Sequence, residues 1–133
     1  MESNAPLDPI LIADDESDDV FVLTHRLKKA GIQNPIVEFK DGADLVDYVS
    51  QHAESGTFKA ALLLLDIKMP RLDGFDTLEW LRQKAGLKML RVAMVSSSQR
   101  PDDKSRAFAA GANEYFEKFP SPADLADAVA RAR

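Results

Sequence analysis

Four consecutive leucines, Leu62–Leu65, lead directly into the carboxylate of Asp66. A short apolar run of this kind is typical of a strand that is covered on both faces, as in a parallel sheet. The chain then breaks at Pro70 and turns at Asp73-Gly74. We therefore expect a strand over residues 60–66 that carries Asp66 at its carboxyl end, where open α/β sheets place their ligand sites.

Short segments of strand character occur five times along the chain, and an amphipathic segment follows each one. Parallel strands need a long crossover connection, and a helix is the usual one. The alternation therefore predicts an α/β fold in which helices cover both faces of a five-stranded parallel sheet. The predicted strands are residues 10–13, 36–39, 60–66, 91–95 and 114–117.

Local signals mark the ends of the first two helices. Ser17 or Asp18 is the expected N-cap of the first helix, and Gly31 suits the left-handed position after it. Asp41-Gly42 is expected to open the second helix, and the polar stretch 51–59 is expected to form a loop after it. The apolar face of the first helix is expected to comprise Val20, Phe21, Leu23, Leu27 and Ala30.

The later helices carry similar signals. Asp73-Gly74 is expected to be structural, a turn that starts the third helix, and this helix is expected to end in the region 83–88 around Gly86. The fourth helix is expected to run from Pro101 to Gly111. Ser121-Pro122-Ala123-Asp124 resembles a capping box with proline at the first position of the fifth helix.

Composition limits the classes of function. The 133 residues suffice for one domain with a single core, which we expect over residues 9–133 after a flexible lead-in of residues 1–8. A net charge of −5 argues against nonspecific nucleic-acid binding. Without cysteine there is no disulfide, thiol nucleophile or thiolate metal site. We find neither a signal pattern nor an apolar stretch of the roughly 20 residues that cross a bilayer, so we expect a cytoplasmic protein.

Reactive side chains follow four of the five predicted strands. Asp14 and Asp15 follow the first strand, Asp66 follows the third, Ser96 follows the fourth and Lys118 follows the fifth. Because the carboxyl ends of parallel strands share one edge of a sheet, we expect these side chains to converge there.

The chemistry of this set is coherent. Crowded carboxylates repel one another unless a cation neutralises them, and Mg²⁺ prefers hard oxygen ligands with one or two carboxylates among them. A carboxylate can accept a phosphoryl group to give an aspartyl phosphate. Mg²⁺ and Lys118 would then supply the positive charge that phosphoryl transfer requires, and Ser96 would donate a hydrogen bond to the same group.

Each of these residues taken alone has an ordinary structural explanation. An aspartate after a strand is usually a helix cap, a serine there usually belongs to a turn, and a single lysine is usually a solvated surface charge. The combination is far more specific than its members, because it needs the right residue type at four separate strand ends.

The chain resembles the receiver domain of two-component response regulators over essentially its full length. The resemblance implies the flavodoxin-like, doubly wound fold, with five parallel strands in the order 2-1-3-4-5 and five helices. The segments that carry it are Ile10-Leu11-Ile12-Ala13-Asp14-Asp15-Glu16, Leu64-Leu65-Asp66-Ile67-Lys68-Met69-Pro70-Arg71-Leu72-Asp73-Gly74, Val95-Ser96, Ala109-Ala110-Gly111-Ala112, and Tyr115 with Lys118.

The resemblance also implies a role for each site residue. Asp66 would be the phosphoacceptor, and Lys118 would bind the phosphate. Ser96 and Tyr115 would be the switch residues. The Mg²⁺ ligands would be Asp14 or Asp15, together with Asp66 and the backbone carbonyl of Lys68.

We therefore expect a stand-alone response regulator without an output domain, which accepts a phosphoryl group from a sensor histidine kinase or a phosphotransfer protein. The acidic run 14–19 and the segments 72–75 and 80–82 look closest to regulators paired with bacterial phytochromes. Phosphorylation would switch a protein-interaction surface. Self-association is common in the family, so a homodimer through the fourth-helix and fifth-helix face is included among the expected partners. We expect no nucleic-acid or membrane partner, and no enzymatic activity besides self-phosphoryl transfer and autodephosphorylation at Asp66.

One departure from the family lies at Lys118-Phe119-Pro120. Receivers usually carry Lys-Pro here with a cis peptide between the two residues, whereas Phe119 intervenes in this chain. A cis bond before Phe119 would cost roughly 3 kcal/mol, and one before Pro120 much less. We therefore predict a rerouted loop that retains the reach of Lys118 to the phosphoryl group.

Two other classes of function remain open from the sequence. A phosphatase of the haloacid-dehalogenase kind usually has a second aspartate two residues after the nucleophile, but Lys68 occupies that position here. A constitutive, phosphorylation-independent interaction module would not need the complete set of Asp14, Asp15, Asp66, Ser96 and Lys118. Both are less well supported than a phosphorylation switch.

Overall fold

Five strands alternate with five helices in the computed structural model, which describes residues 7–84 and 87–132. All five strands are parallel, and their order in the sheet is β2-β1-β3-β4-β5, so the predicted fold and strand order are confirmed. The elements are β1 Ile10–Ala13, α1 Ser17–Lys29, β2 Ile36–Phe39, α2 Gly42–Glu54, β3 Leu62–Leu65, α3 Gly74–Gln83, β4 Val92–Ser96, α4 Pro101–Ala110, β5 Glu114–Glu117 and α5 Pro122–Arg131.

The central strand β3 separates two hydrophobic clusters. Leu63 and Leu65 belong to the cluster that α2, α3 and α4 cover, whereas Leu62 and Leu64 belong to the cluster that α1 and α5 cover. All four leucines are buried, because successive side chains of a strand point to opposite faces and both faces carry helices. The buried leucine run therefore places Asp66, the next residue, at the carboxyl end of the central strand.

The first helix begins differently from the prediction. Its N-cap is Glu16, with no side-chain capping bond, so Ser17 and Asp18 lie within the helix and do not cap it. The turn before the helix is closed by the Asp14 carboxylate, whose Oδ1 accepts a hydrogen bond of 2.9 Å from the Glu16 N–H. Short acidic side chains commonly make this bond two residues along the chain, and it leaves the capping position to Glu16.

The predicted apolar face of α1 was wrong at Phe21. Val20, Leu23 and Leu27 are buried, but Phe21 is 72% exposed and stacks on His25, with ring centroids 6.3 Å apart. Adjacent helical residues point about 100° apart, so Phe21 turns away from the sheet that Val20 contacts. Ala30 is the half-buried C-cap, and Gly31 has the expected positive φ of 82°.

Some further boundaries differ from the prediction. Helix α2 continues to Glu54, so residues 51–54 are helical and only the remainder of the predicted loop is irregular. Strands β1, β2 and β5 have the predicted bounds, whereas β3 is shorter at both ends and β4 is displaced by one residue, so that Ser96 pairs with Glu117 as its last residue. Helix α3 ends at Gln83, within the predicted region 83–88, and Gly86 lies outside the described residues.

The terminal predictions have a similar limit. Most of the predicted lead-in, residues 1–6, lies outside the described residues, and the domain boundaries remain predictions. Within the described part of the chain, no helix combines the length and the apolar character that a membrane crossing requires.

Candidate functional site

The carboxyl edge of the sheet gathers the polar side chains of four strand ends. Asp14 follows β1, Asp66 follows β3, Ser96 ends β4 and Lys118 follows β5. Asp14, Asp66 and Ser96 are buried, although they are polar. Polar groups at such positions need specific partners, because burial without them costs free energy.

The three acidic residues lie close enough to share a cation. Asp14, Asp15 and Asp66 each offer a carboxylate oxygen, and these three oxygens lie within 4.8 Å of one another. Asp66 Oδ1 also accepts a hydrogen bond of 2.8 Å from the Ile67 N–H. Asp15 is exposed and lines the cavity above the sheet edge, so the cluster is open to solvent on one side.

The Lys118 ammonium lies among these carboxylates. Its Nζ is 3.0 Å from Asp14 Oδ2 and 3.5 Å from Asp66 Oδ2. A third carboxylate, that of Asp19 in the first turn of α1, lies at 2.6 Å and is the nearest of the three. The side chain of Lys118 is only 10% exposed, so these ion pairs are shielded from water.

The protonation of Asp66 reflects this crowding. Burial raises the pKa of the Asp66 carboxyl, the negative charge of Asp14 raises it further, and Lys118 offsets only part of the effect, which leaves the pKa at about 6. Burial alone would lower the pKa of Lys118, but its contacts with Asp19, Asp14 and Asp66 raise it above the ordinary value. The lysine is therefore charged at neutral pH, and Asp66 is largely ionised.

The site fits a divalent cation. Asp14 Oδ2 is fully buried and has no hydrogen-bond partner within the described part of the chain, although it forms an ion pair with the Lys118 ammonium 3.0 Å away. A buried carboxylate oxygen without a donor, in a cluster of three carboxylates, suits a hard cation such as Mg²⁺ or Mn²⁺.

An open cavity of about 890 Å³ lies over the cluster. Asp66, Lys118 and Ser96 line it on the side of the sheet, and exposed Lys68 lines it from the loop after β3. The opposite wall is residues 97–100 with Asp103 of α4. A phosphoryl group at Asp66 would have room here.

The predicted switch residues are connected through Ser98. Ser96 Oγ accepts a hydrogen bond of 3.1 Å from the Ser98 N–H, and the hydroxyl of half-buried Tyr115 donates to the Ser98 carbonyl oxygen at 3.0 Å. Ser98 Oγ donates in turn to Asp103 Oδ2 at 2.6 Å. The loop between β4 and α4 is therefore tied to both predicted switch residues and to α4.

Two side chains fix the second half of the loop after Asp66. Asp73 caps α3 by accepting a hydrogen bond of 2.9 Å from the Asp76 N–H, which confirms the structural reading of Asp73-Gly74. Arg71 makes two hydrogen bonds, of 2.8 and 2.9 Å, to the Asp41 carboxylate. Burial acts to raise the pKa of Asp41, but the Asp44 N–H and Arg71 outweigh it and lower the pKa.

The predicted rerouting of residues 118–120 was wrong. The cis peptide lies between Lys118 and Phe119, directly after the lysine. Contacts on both sides fix this path. The Lys118 N–H donates to the Ser96 carbonyl oxygen at 2.8 Å, and the Arg26 guanidinium donates to the carbonyl oxygens of Phe119 and Pro120 at 3.1 and 3.0 Å.

Sequence reasoning missed two residues that support the site: Asp19 and Arg26. Asp19 had a weak signal, since it lies one helical turn after Asp15 in the acidic run. Arg26 had none, because its partners are 93 and 94 residues away.

Comparison with known proteins decides the family. The sequence profile described as "Response regulator receiver domain" matches residues 10–130. The chain is a member of this family. The predicted resemblance is thereby confirmed, and the strand order of the receiver domain agrees with it.

The curated relatives include proteins of similar length and a regulator about twice as long. The receiver domain is 27% identical over 116 residues to the probable methanogenesis regulatory protein FilR2 of Methanothrix harundinacea, covering 87% of this chain and 75% of that protein. It is 28% identical over 125 residues to the response regulator Rcp1 of Synechocystis, covering 93% and 84%. It spans only 44% of the transcriptional regulatory protein PhoP of Bacillus subtilis, at 28% identity over 116 residues, or 87% of this chain.

Solved structures agree with the sequence relatives. The Mn²⁺-bound form of Rcp1 superimposes with a TM-score of 0.75 at 26% identity, covering 92% of this receiver domain and 89% of that chain. The bacteriophytochrome response regulator AtBRR superimposes with a TM-score of 0.81 at 26% identity, covering 95% and 92%. The predicted similarity to response regulators of bacterial phytochromes is confirmed.

Proposed function

We propose that this receiver domain accepts a phosphoryl group on Asp66 and thereby switches a surface for protein binding. One observation carries the proposal: Asp66 ends the central strand inside a cluster of two further carboxylates and one ammonium, at the floor of an open cavity. The same set of groups is what phosphoryl transfer to a carboxylate requires.

The chemistry assigns a role to each residue. An ionised carboxylate oxygen of Asp66 attacks the phosphorus of a phosphohistidine, the P–N bond breaks, and the imidazole leaves with its electron pair. Asp14, Asp15, Asp66 and the Lys68 carbonyl would hold Mg²⁺, which supplies positive charge to the transferring oxygens when bound. Lys118 contributes a second positive charge, and Ser96 a hydrogen bond to the new phosphoryl group.

The switch would act through the loop between β4 and α4. A phosphoryl group adds about −1.5 to −2 charges at neutral pH and three acceptor oxygens. Ser96 then has a stronger hydrogen-bond partner than the Ser98 N–H that it contacts now. Because Ser98 also holds the Tyr115 hydroxyl and Asp103, its displacement would alter the surface of α4 and β5.

The phosphoryl donor would be a sensor histidine kinase or a phosphotransfer protein in the cytoplasm. The relatedness to AtBRR, named a bacteriophytochrome response regulator, supports a phytochrome-type kinase as the first candidate to test. We include in the proposal a homodimer through the face of α4 and α5, which rests on the family resemblance alone. Receiver domains are signalling modules, and we propose self-phosphoryl transfer and autodephosphorylation as the chemistry that Asp66 performs.

Phosphorylation by acetyl phosphate with Mg²⁺ tests the proposal. We expect wild type and Asp47→Asn, an exposed control on α2, to gain a hydroxylamine-sensitive phosphoryl group in a phosphate-affinity gel. Asp66→Asn should gain none. Labelling of Asp66→Asn at the wild-type level would refute the assignment, and absence of label in wild type would favour a constitutive interaction module.

A further inference from the structure

The ammonium of Lys118 is held mainly by Asp19, not by the predicted phosphoacceptor. The distance from Nζ to Asp19 Oδ2 is 2.6 Å, against 3.0 Å to Asp14 Oδ2 and 3.5 Å to Asp66 Oδ2. The contact with Asp19 is both a hydrogen bond and an ion pair, whereas the longer contacts with Asp14 and Asp66 are ion pairs. A charge-assisted hydrogen bond of this length is among the stronger contacts that an ammonium makes.

Asp19 is well placed to keep this contact. It lies in the first turn of α1, where its N–H donates to the Glu16 carbonyl oxygen at 3.1 Å and where the helix dipole favours a negative charge. Its side chain is 17% exposed, so water screens the ion pair only in part. The neighbouring Asp18 carries the same charge in the same turn but is exposed to solvent.

We propose that Asp19 is a positioning residue that draws the Lys118 ammonium away from Asp66 and so keeps the carboxylate cluster available to a divalent cation. An ammonium and a divalent cation compete for the same carboxylate oxygens and repel each other. A carboxylate outside the cluster that binds the ammonium weakens this competition. The inference rests on the proposed function, because it concerns the cation that phosphoryl transfer needs.

Calorimetric titration of the metal-free protein with Mg²⁺, repeated with Mn²⁺, tests the inference without any phosphorylation. Asp19→Asn keeps the size of the side chain and removes its charge, and Asp18→Asn makes the same change on the exposed side of the turn. We expect Asp19→Asn to weaken cation binding about tenfold, within the range usual for coupled sites, and Asp18→Asn to weaken it less than about threefold.

A second pair of variants separates positioning from a simple loss of negative charge. In a Lys118→Met background no ammonium competes, so Asp19→Asn should then weaken binding no more than Asp18→Asn does. Asp19→Glu restores the carboxylate and should recover most of the affinity. Circular dichroism and urea unfolding verify that each variant is folded.

The outcomes are distinguishable. If wild type binds neither Mg²⁺ nor Mn²⁺, the proposed function and the role of Asp19 fail together. If wild type binds but Asp19→Asn and Asp18→Asn weaken binding equally, or Asp19→Asn has its full effect without Lys118, the inference about Asp19 is overturned while the proposed function stands.

Discussion

Gly74 packs so closely against Asp66 that a side chain at position 74 has no room. A Cβ built on Gly74 would collide with the Asp66 carbonyl oxygen. The Gly74 N–H donates to the Ile67 carbonyl oxygen at 2.8 Å. The start of α3 is therefore pressed against the backbone of the residue that we propose as phosphoacceptor. The absence of a side chain at Gly74 therefore allows the end of the loop after β3 to contact the Asp66 backbone.

We predict that Gly74→Ala lowers the free energy of unfolding by about 1–3 kcal/mol, as overpacking usually does, and that it also weakens Mg²⁺ binding. Gly31→Ala is the matched control, because Gly31 has a positive φ of 82° but nothing within 4 Å of a built Cβ. The control should lose stability through backbone strain and keep its cation affinity. Urea unfolding and calorimetry measure both; unchanged cation affinity in Gly74→Ala would show that the contact serves folding alone.

The raised pKa of Asp66 predicts a specific dependence of stability on pH in metal-free protein. Between about pH 4 and pH 6 the folded state binds more protons at Asp66 than the unfolded state, so this group's contribution to stability falls as the pH rises. Above pH 6 the ionised carboxylate costs stability on the order of 3 kcal/mol, since one pKa unit corresponds to about 1.4 kcal/mol and the pKa rises from 3.8 to about 6.

Asp66→Asn removes that cost. We expect the variant to be more stable than wild type at pH 7 in the presence of EDTA, with the difference shrinking towards pH 4, when both are unfolded with urea across this range. Saturating Mg²⁺ should reverse the order, because a cation that binds the folded state stabilises wild type. A difference between the variants that does not vary with pH would contradict the raised pKa.

Arg26 fixes the loop that carries Lys118. Its guanidinium donates to the carbonyl oxygens of Phe119 and Pro120 and lies 5.7 Å from the centre of the Phe119 ring. We predict that Arg26→Gln lowers the free energy of unfolding by about 2 kcal/mol, because hydrogen bonds from charged groups are worth more than neutral ones. Lys29→Gln, an exposed change in the last turn of the same helix, should have little effect.

Amide hydrogen exchange tests the local part of this prediction. The amides of Lys118, Phe119 and Ser121 should exchange faster in Arg26→Gln than in wild type, whereas those of β2 should not change. If Arg26→Gln and Lys29→Gln exchange alike over residues 118–121, the two hydrogen bonds do not hold the loop.

Tyr115 restrains the loop between β4 and α4 through a single hydrogen bond to the Ser98 carbonyl oxygen. We predict that Tyr115→Phe costs about 1 kcal/mol and speeds amide exchange over residues 97–100. Tyr48→Phe removes the same atom from a tyrosine of α2 that packs against Phe39 and His52, and should leave that loop unchanged. Equal exchange in both variants would exclude Tyr115 as a restraint on the loop.

Most of the fold followed from local patterns. Apolar runs marked the five strands, and each boundary was placed within a few residues, because burial on both faces of a parallel sheet requires continuous apolar segments. The boundaries that moved had weak signals: residues 51–54 of α2 are polar but contain no helix breaker before Gly56. Phe21 was assigned to the buried face because its spacing fits helical periodicity. In the structure it lies on a side of α1 that does not contact the sheet.

The residues of the candidate site also fall into two groups, those predictable from the sequence and those placed only by the tertiary structure. Asp14, Asp66, Ser96 and Lys118 were predictable as neighbours, since the topology of a parallel sheet brings strand ends together whatever the intervening sequence. The parallel strand order therefore accounts for the proximity of these four residues.

Asp19 and Arg26 could be placed only by the tertiary structure. Their partners lie 99 and 93 residues away, and helical periodicity says which face of α1 each residue occupies but not what stands opposite. The packing of α1 beside α5 brings residues 118–120 to that face. The sequence alone thus determined the fold and the carboxylate that we propose as phosphoacceptor, whereas helix packing determined which acidic residue holds the lysine.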